Sequence, residues 1–249
     1  EEFKDCLELA KYMLDTVGLL DKCTFRFSQW DPANPKNKYE GTAEQWEEAQ
    51  AAMKKILDHL GLDYTIGIDE AAFYGPKLDI QYKNVYGKED TLVTIQIDML
   101  LAEKFGMEYT DVDGKKRMPY IIHRTSLGCY ERTLAYLIET YAGALPLWLS
   151  PEQVRILPVT DRAAEYCQKV LEKLEARGIR ATVDSRKEGV GYKIRQAQLD
   201  KIPYFFIVGD KEAEEGTLSL RSRSEGDLGA KPMDEVLERI FRENDEKVR

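Results

Sequence analysis

Residues 121–143, IIHRTSLGCYERTLAYLIETYAG, carry the pattern of a strand, a tight turn and a helix. Ile121 and Ile122 are β-branched, which favours a strand, and Gly128 permits a tightly bent backbone after it. Beyond the turn, apolar residues recur at roughly helical spacing, and Gly143 is typical of a helix end. These apolar residues are Leu134, Tyr136, Leu137, Ile138 and Tyr141.

Two polar side chains flank the predicted turn, His123 before it and Arg132 in the first turns of the helix. Backbone N–H groups and the helix dipole point at whatever binds at such a junction. The local pattern alone still favours a simpler interpretation, which is a buried helix with a surface arginine and a hydrogen-bonded histidine.

The longer run HRTSLGCYERTLAYLIETYAGALPLWLSPEQV, residues 123–154, resembles motif 3 of class II aminoacyl-tRNA synthetases, followed by the linker to an anticodon-binding domain. Its His-Arg pair and the junction LPLW-x-x-PEQV are similar to the threonyl enzymes of that family in particular. The resemblance extends over nearly all of the remaining chain, and it implies a fold, a reaction and a set of site residues.

Composition limits the class of protein. Charged residues make up 33% and apolar residues 43%, which suits a globular chain. No apolar run approaches the roughly 20 residues of a membrane span, and no export signal is evident, so we expect a cytoplasmic protein with no membrane association. The four cysteines form no C-x-x-C pair, which predicts free thiols. A net charge of −9 argues mildly against nucleic-acid binding but leaves room for a local basic patch.

The first part of the chain is predicted to form an antiparallel sheet backed by helices. Helices are expected over 3–18 and 42–59, separated by a strand and by a loop that contains Pro32 and Pro35. Strands are expected over 24–28, 64–68, 78–83, 92–97 and 120–123. This pattern is typical of an α+β layer, and the resemblance likewise implies part of a class II catalytic domain.

The resemblance implies five substrate-binding residues: Tyr74, Lys77, Gln96, Cys129 and Arg132. Of these, Lys77, Gln96 and Arg132 would be catalytic, with Arg132 against ATP. Tyr74 and Lys77 stand in EAAFYGPKLDIQ and Gln96 in TIQID. A lysine in the position of Lys77 is more often simply exposed to solvent than part of a binding site. Two stretches depart from the family pattern: Thr91 replaces a glutamine that contacts the nucleotide, and residues 99–102 differ from Phe-x-Leu-Pro.

A domain boundary is predicted at residues 148/149, where Pro146 and Pro151 interrupt an apolar run. Residues 1–148 would be the catalytic part and 149–249 an anticodon-binding domain. Strands over 154–159, 180–184, 204–208 and 216–221 alternate with helices over 162–177, 191–200 and 233–243. This order is typical of an α/β domain with a mixed, largely parallel sheet.

The second domain is expected to bind tRNA. The runs GIRATVDSRKEGVGYKIRQAQLDKIPYFFIVGDKE and LSLRSRSEGDLG resemble the anticodon-binding domain. The resemblance implies that Glu212 and Arg221 hydrogen-bond anticodon bases and that Lys187 and Arg195 lie near the RNA backbone. Basic residues outnumber acidic ones between residues 186 and 201, which fits a local positive surface, although plain solvation explains most such faces. The basic set is Arg186, Lys187, Lys193, Arg195 and Lys201.

Three functions are considered. The first, implied by the resemblance, is a threonine–tRNA ligase, expected to be a homodimer that uses ATP with Mg²⁺ to join threonine to tRNA(Thr). The second is a non-catalytic, synthetase-like nucleic-acid-binding module, and the third is another class II enzyme of the same subgroup. The presence of every matched residue favours an enzyme, and His123 favours the threonyl one because it matches that family's zinc ligand.

A zinc ion would explain how such an enzyme selects threonine over valine. An apolar pocket separates near isosteres of this kind by only about 100-fold. Zn²⁺ with an open position can bind the amine and the hydroxyl of threonine together, and valine has no hydroxyl. Motif 1, motif 2 and two further zinc ligands have no counterpart in this chain. We therefore expect a synthetase fragment that folds, binds tRNA weakly, makes no threonyl-adenylate alone and holds little specific zinc.

Overall fold

The computed structural model describes residues 1–34 and 38–249. The chain divides into two compact units, Glu1–Glu139 and Thr140–Arg249. The boundary predicted at 148/149 falls later than this division and stays a prediction. Pro35, which contributed to the predicted loop, lies outside the described residues.

The first unit is built on a five-stranded sheet. Its strands are β1 (Cys23–Gln29), β2 (Thr65–Ile68), β3 (Lys77–Lys83), β4 (Glu89–Asp98) and β7 (Ile121–Arg124), in the order β2-β1-β3-β4-β7. A separate hairpin joins β5 (Tyr109–Thr110) to β6 (Lys116–Arg117). Three of the four pairings in the main sheet are antiparallel, as predicted, but β1 and β2 pair in parallel. The first sheet is therefore mixed.

Helices α1 (Glu2–Thr16), α2 (Ala43–His59), α3 (Leu101–Lys104) and α4 (Tyr130–Tyr141) accompany this sheet. The predicted apolar stripe of α1 is buried at Phe3, Leu7, Ala10 and Leu14. Helix α2 begins with a capping box, in which the Thr42 side chain accepts from the Gln45 backbone N–H and Gln45 reciprocates. The buried stripe of α1 and the capping box of α2 explain why the helices form where the sequence predicts them.

The register of the sheet decides where side chains of the candidate site meet. Lys77 on β3 pairs with Gln96 on β4, and Gln96 pairs in turn with His123 on β7. Directly paired residues point to the same face of a sheet, so the three side chains stand in one row. Two pairings farther along, and therefore on the same face, Asp79 lies opposite Thr94.

The second unit contains another five-stranded sheet. Its strands are β8 (Val154–Pro158), β9 (Ala181–Val183), β10 (Tyr204–Val208), β11 (Thr217–Ser222) and β12 (Gly226–Pro232), in the order β12-β11-β10-β8-β9. The helices are α5 (Ala164–Glu175), α6 (Val190–Leu199), α7 (Asp210–Glu215) and α8 (Met233–Asp245). Two pairings are parallel and two antiparallel. The mixed character was predicted, but "largely parallel" describes only half of the sheet.

Side chains of the second unit hold the backbone of residues 142–150. Arg223 donates to the carbonyl oxygens of Ala144 (3.1 Å) and Leu145 (2.7 Å), and Lys201 donates to that of Ala142. Arg180 donates to the carbonyl oxygens of Trp148 and Ser150. Burial lowers the pKa of Arg223 from its ordinary value, as expected for a cation removed from water. This segment is therefore fixed to the second unit along its length.

Across residues 1–34 and 38–249, no helix combines the length and the apolar character that crossing a bilayer requires.

Candidate active site and RNA-binding residues

A cavity of about 640 Å³ opens over the end of the first sheet, and five of the predicted residues line it. Lys77 comes from β3, Gln96 from β4 and His123 from β7, while Cys129 and Arg132 come from the turn and helix that follow. Three cations, Lys77, Arg124 and Arg132, and one carboxylate, Asp79, belong to this lining. The excess of positive charge suits an anionic ligand.

Lys77 is held by a buried carboxylate. Its Nζ lies 2.6 Å from Oδ2 of Asp79, whose side chain is only 2% exposed. The same Oδ2 accepts from Ser28 Oγ at 2.7 Å, and Oδ1 accepts from Thr94 Oγ1 at 2.7 Å. Three strands thus contribute to fixing one carboxylate, which compensates for the cost of burying it.

Tyr74 does not stand among the lining residues but acts on one of them. Its hydroxyl donates to Oε1 of Gln96, so the amide nitrogen of Gln96 stays directed elsewhere as a donor. Burial, with a smaller contribution from the negative charge of Asp98, raises the pKa of Tyr74. Tyr74 therefore remains a neutral donor at neutral pH. The tight turn that carries it requires Gly75, since a Cβ there would lie 1.8 Å from the carbonyl oxygen of Ile97.

His123 is anchored through its Nε2, which lies 2.8 Å from Oδ2 of the buried Asp98. The other oxygen of Asp98 accepts from the backbone N–H groups of Leu100 and Leu101. Burial acts to raise the pKa of Asp98, but these hydrogen bonds outweigh burial and hold it below its ordinary value. The ring of Tyr74 meets that of His123 edge-on, with centroids 5.7 Å apart. The imidazole orientation is thus set by two neighbours, and Nδ1 is the nitrogen left toward a ligand.

The turn between β7 and α4 packs directly on β4. Gly128 has a φ of +77°, and a Cβ at this position would lie 1.8 Å from the carbonyl oxygen of Leu92. The guanidinium of Arg132 donates to the carbonyl oxygen of Thr91, the residue before Leu92, and Thr133 Oγ1 donates to the carbonyl oxygen of Leu127 at 2.5 Å. These contacts place the exposed Arg132 at the cavity.

The helix that follows the turn is only partly buried, and two residues near it line the cavity. The apolar stripe of α4 is buried at Tyr136 and Leu137, but Leu134 and Ile138 are about half exposed, at 52% and 50%. Cys129 is exposed at the cavity, and its thiol donates to Oε2 of Glu131 at 2.9 Å. The residue that departs from the family pattern, Thr91, also lines the cavity and receives a hydrogen bond from the amide of Gln81 at 2.9 Å.

The residues of this cavity do not make a zinc site by themselves. Within the part of the chain that the structure describes, no group of three or more His, Cys, Asp and Glu side chains could hold a metal ion. Zinc takes three protein ligands in catalytic sites and four in structural ones, and His123 supplies one.

The residues proposed for anticodon recognition lie on separate elements of the second unit. Glu212, on α7, accepts from the backbone N–H of Gly209 at 2.9 Å through Oε2 and so caps its own helix. Arg221, on β11, lines a cavity of about 290 Å³ together with Phe205 and Asp227. Its Nη2 lies 2.7 Å from Oδ2 of Asp227, and its buried Nε has no hydrogen-bond partner. Because the Nε is buried, only the partly exposed remainder of the guanidinium (30% side-chain exposure) is accessible to a base edge.

The predicted basic surface between residues 186 and 201 is smaller than its composition indicates. Lys187 and Arg195 are exposed, as a backbone contact requires. Lys193 is only 5% exposed, and its Nζ donates to the carbonyl oxygens of Pro158 and Asp184 at 3.1 and 2.9 Å. Arg186 forms a two-bond pair with the side chain of Asp184. Lys193 is thus a structural residue, and its inclusion in an RNA-facing surface was wrong.

Comparisons with known proteins agree with the geometry. The family model described as "tRNA synthetase class II core domain (G, H, P, S and T)" matches residues 1–141. The chain belongs to the class II tRNA synthetase family. A second model, "Anticodon binding domain", matches residues 153–243 of this synthetase chain.

Curated relatives of this synthetase chain at 43 to 55% identity are threonyl enzymes, which confirms the resemblance seen in residues 123–154. Threonine–tRNA ligase of Clostridium perfringens is 55% identical over 98% of the chain, and threonine–tRNA ligase 1 of Bacillus subtilis is 43% identical over 98%. The chain spans 38% of the length of each of these curated relatives. A crystal structure described as the RNA binding domain of threonyl-tRNA synthetase from Cryptosporidium parvum is 31% identical, with a TM-score of 0.86 over 97% of this chain and 60% of its own.

Sequence reasoning missed the buried carboxylates Asp79 and Asp98, which orient Lys77 and His123, and it missed Arg124 in the lining. A charged residue inside an otherwise apolar strand, as in KLDIQ and TIQID, is the signal that could have identified the two carboxylates.

Proposed function

We propose that this chain is part of a threonine–tRNA ligase and supplies one wall of its active site together with anticodon recognition. In the whole protein, ATP with Mg²⁺ would activate threonine as an adenylate, and the threonyl group would then pass to the 3′ end of tRNA(Thr). The observation that carries this proposal is the convergence of Lys77, Gln96, His123, Cys129 and Arg132, from five separate positions in the sequence, on one cavity.

Each residue has a role that its contacts support. Arg132 lies at the cavity on the first turns of α4, and its planar, permanently charged guanidinium can stack on the adenine and meet phosphate at the same time. Lys77 is a point charge for phosphate or carboxylate. Gln96, oriented by the hydroxyl of Tyr74, is left to donate to bound threonine or to the adenylate.

His123 would contribute to a zinc site only with ligands from outside the described residues. Its fixed ring orientation supports that assignment, since a carboxylate partner commonly orients a metal-ligating histidine. In the second unit, Glu212 would accept from a base amino group and Arg221 would donate to a base edge, while Lys187 and Arg195 would meet phosphate. A homodimer and a cytoplasmic location complete the proposal, on the resemblance alone.

ATP–pyrophosphate exchange tests the proposal. A protein that carries this chain within the full length of its relatives should exchange label in a reaction that depends on threonine, and it should charge tRNA(Thr). A non-catalytic nucleic-acid-binding module would bind tRNA without exchange. Exchange with another amino acid but not with threonine would point to a different class II enzyme.

A further inference from the structure

The carboxylate of Asp79 lies beneath the cavity at the meeting point of three strands. It accepts from Ser28 on β1, from Lys77 on β3 and from Thr94 on β4, at 2.6 to 2.7 Å. Ser28 is itself fully buried. Because the two hydroxyl groups occupy both carboxylate oxygens, the side chain of Asp79 has one orientation, and the ammonium of Lys77 is held in a single place.

We propose that Asp79 is the positioning residue for Lys77 in the reaction proposed above, on which this inference rests. An ammonium has three N–H donors, and the bond to Asp79 occupies one. The other two are then held beside Gln96, the direct cross-strand neighbour of Lys77, where they meet an anionic group of the substrate. Asp79 fixes the position of the Lys77 ammonium and does not itself bind substrate.

Charge and position predict different effects for the same substitution, which makes the proposal testable. Asp79→Asn removes a negative charge near the cavity, so if charge alone mattered an anionic substrate would bind more tightly and its KM would fall. If the position of the Lys77 ammonium matters, Asp79→Asn leaves the ammonium unfixed and the reaction rate falls. A misplacement of about 1 Å in a reacting group can cost on the order of 100-fold in rate.

The kinetic test uses ATP–pyrophosphate exchange by a protein that carries this chain within the full length of its relatives. Asp79→Asn should lower kcat by about 10- to 100-fold with no fall in the KM for ATP. In a Lys77→Met background the same change should have an effect of less than about 3-fold, since residues that act through one another are not additive. The control is Asp58→Asn, which breaks the exposed Lys54–Asp58 pair of α2 (2.5 Å) and should leave kcat unchanged. A lower KM with an unchanged kcat, or an equal effect of Asp79→Asn in both backgrounds, would overturn the proposal.

A second measurement does not depend on activity. In ¹⁵N NMR spectra of this 249-residue chain, the Lys77 ammonium should give a signal protected from solvent exchange, identified by its loss in Lys77→Met, and Asp79→Asn should abolish that protection. Should Asp79→Asn not fold, Thr94→Val removes one donor to Asp79, keeps both charges and should weaken the protection. A Lys77 signal that exchanges as rapidly as that of Lys54 in the wild type would refute the positioning role. Absence of exchange activity with an intact Lys77 signal would instead refute the proposed function.

Discussion

Gly128→Ala is expected to destabilise the first unit far more than an alanine at a glycine of the same backbone conformation. Gly128 and Gly114 have φ values of +77° and +78°. An alanine in this left-handed region costs about 1 kcal/mol at either position. A Cβ at Gly114 would have nothing within 4 Å, whereas at Gly128 it would lie 1.8 Å from the carbonyl oxygen of Leu92.

The magnitude follows from that contact. Cβ atoms essentially never come within 3.0 Å of another non-bonded heavy atom, so the turn at Gly128 or strand β4 must move by more than about 1 Å. The resulting strain is comparable to that of overpacking a core, which costs roughly 1–3 kcal/mol. We therefore expect Gly128→Ala to lose about 2–4 kcal/mol of unfolding free energy and Gly114→Ala about 1 kcal/mol. The displaced turn leads into α4, which carries Arg132, so exchange activity should fall in the first variant and not in the second.

Urea unfolding monitored by circular dichroism, with tryptophan fluorescence as a second probe, measures both free energies. Trp30 and Trp46 report on the first unit, where both glycines lie. If the two variants differ by less than about 0.5 kcal/mol, which is within the scatter of surface substitutions, the close approach of the turn to β4 does not constrain the protein and the reasoning fails.

Three further predictions concern Arg132, the anticodon residues and alkaline pH. Arg132→Lys keeps the charge but loses the planar face, so kcat/KM for ATP should fall in exchange kinetics, and unchanged constants would exclude Arg132 from the ATP site. Glu212→Ala and Arg221→Ala should each weaken tRNA(Thr) binding in filter assays, with Lys231→Ala on β12 as a surface control, and wild-type affinity in both would exclude them. Burial, and to a smaller extent the hydrogen bond to Glu243, raises the pKa of Tyr204 from 10.0 to about 12. Its contribution to stability is therefore complete below pH 10 and is lost as the pH rises through 12, by about 2–3 kcal/mol. Between pH 8 and 12, the urea concentration at the midpoint of unfolding should fall less steeply with pH in Tyr204→Phe than in the wild type. Equal slopes in the two proteins would contradict this prediction.

Regular elements with a clear apolar period were predictable, and those without one were not. Helix α1 and strand β10, YFFIV, carry enough apolar side chains in a single pattern to fix their type. Strand β12, GDLGAKP, is mostly exposed and contains two glycines, so it forms because β11 offers a free edge and not because its residues favour a strand. The parallel pairing of β1 with β2 is likewise a property of the chain path between them, which no local pattern encodes.

The candidate site divides in the same way. Residues that line the cavity, such as Lys77, His123 and Arg132, were singled out because they match a family motif. The carboxylates that orient Lys77 and His123 were missed because, from sequence alone, a charged residue in a strand is expected to face solvent. Lys193 shows the converse error: its position on a polar helix face indicated a surface cation, but two backbone carbonyl oxygens draw its ammonium inward.

The second unit can be separated only at a position that preserves the hydrogen bonds to residues 142–150. Their donors are Arg223, Lys201 and Arg180. A recombinant version that starts at residue 149 would remove the acceptors of Ala142, Ala144 and Leu145 and leave a half-buried guanidinium without them. Losing partners to a charged donor costs on the order of 1–3 kcal/mol or more, a large part of what keeps a domain of this size folded. A version that starts at Thr140 keeps every one of these bonds and should give the more soluble and more cooperatively melting product.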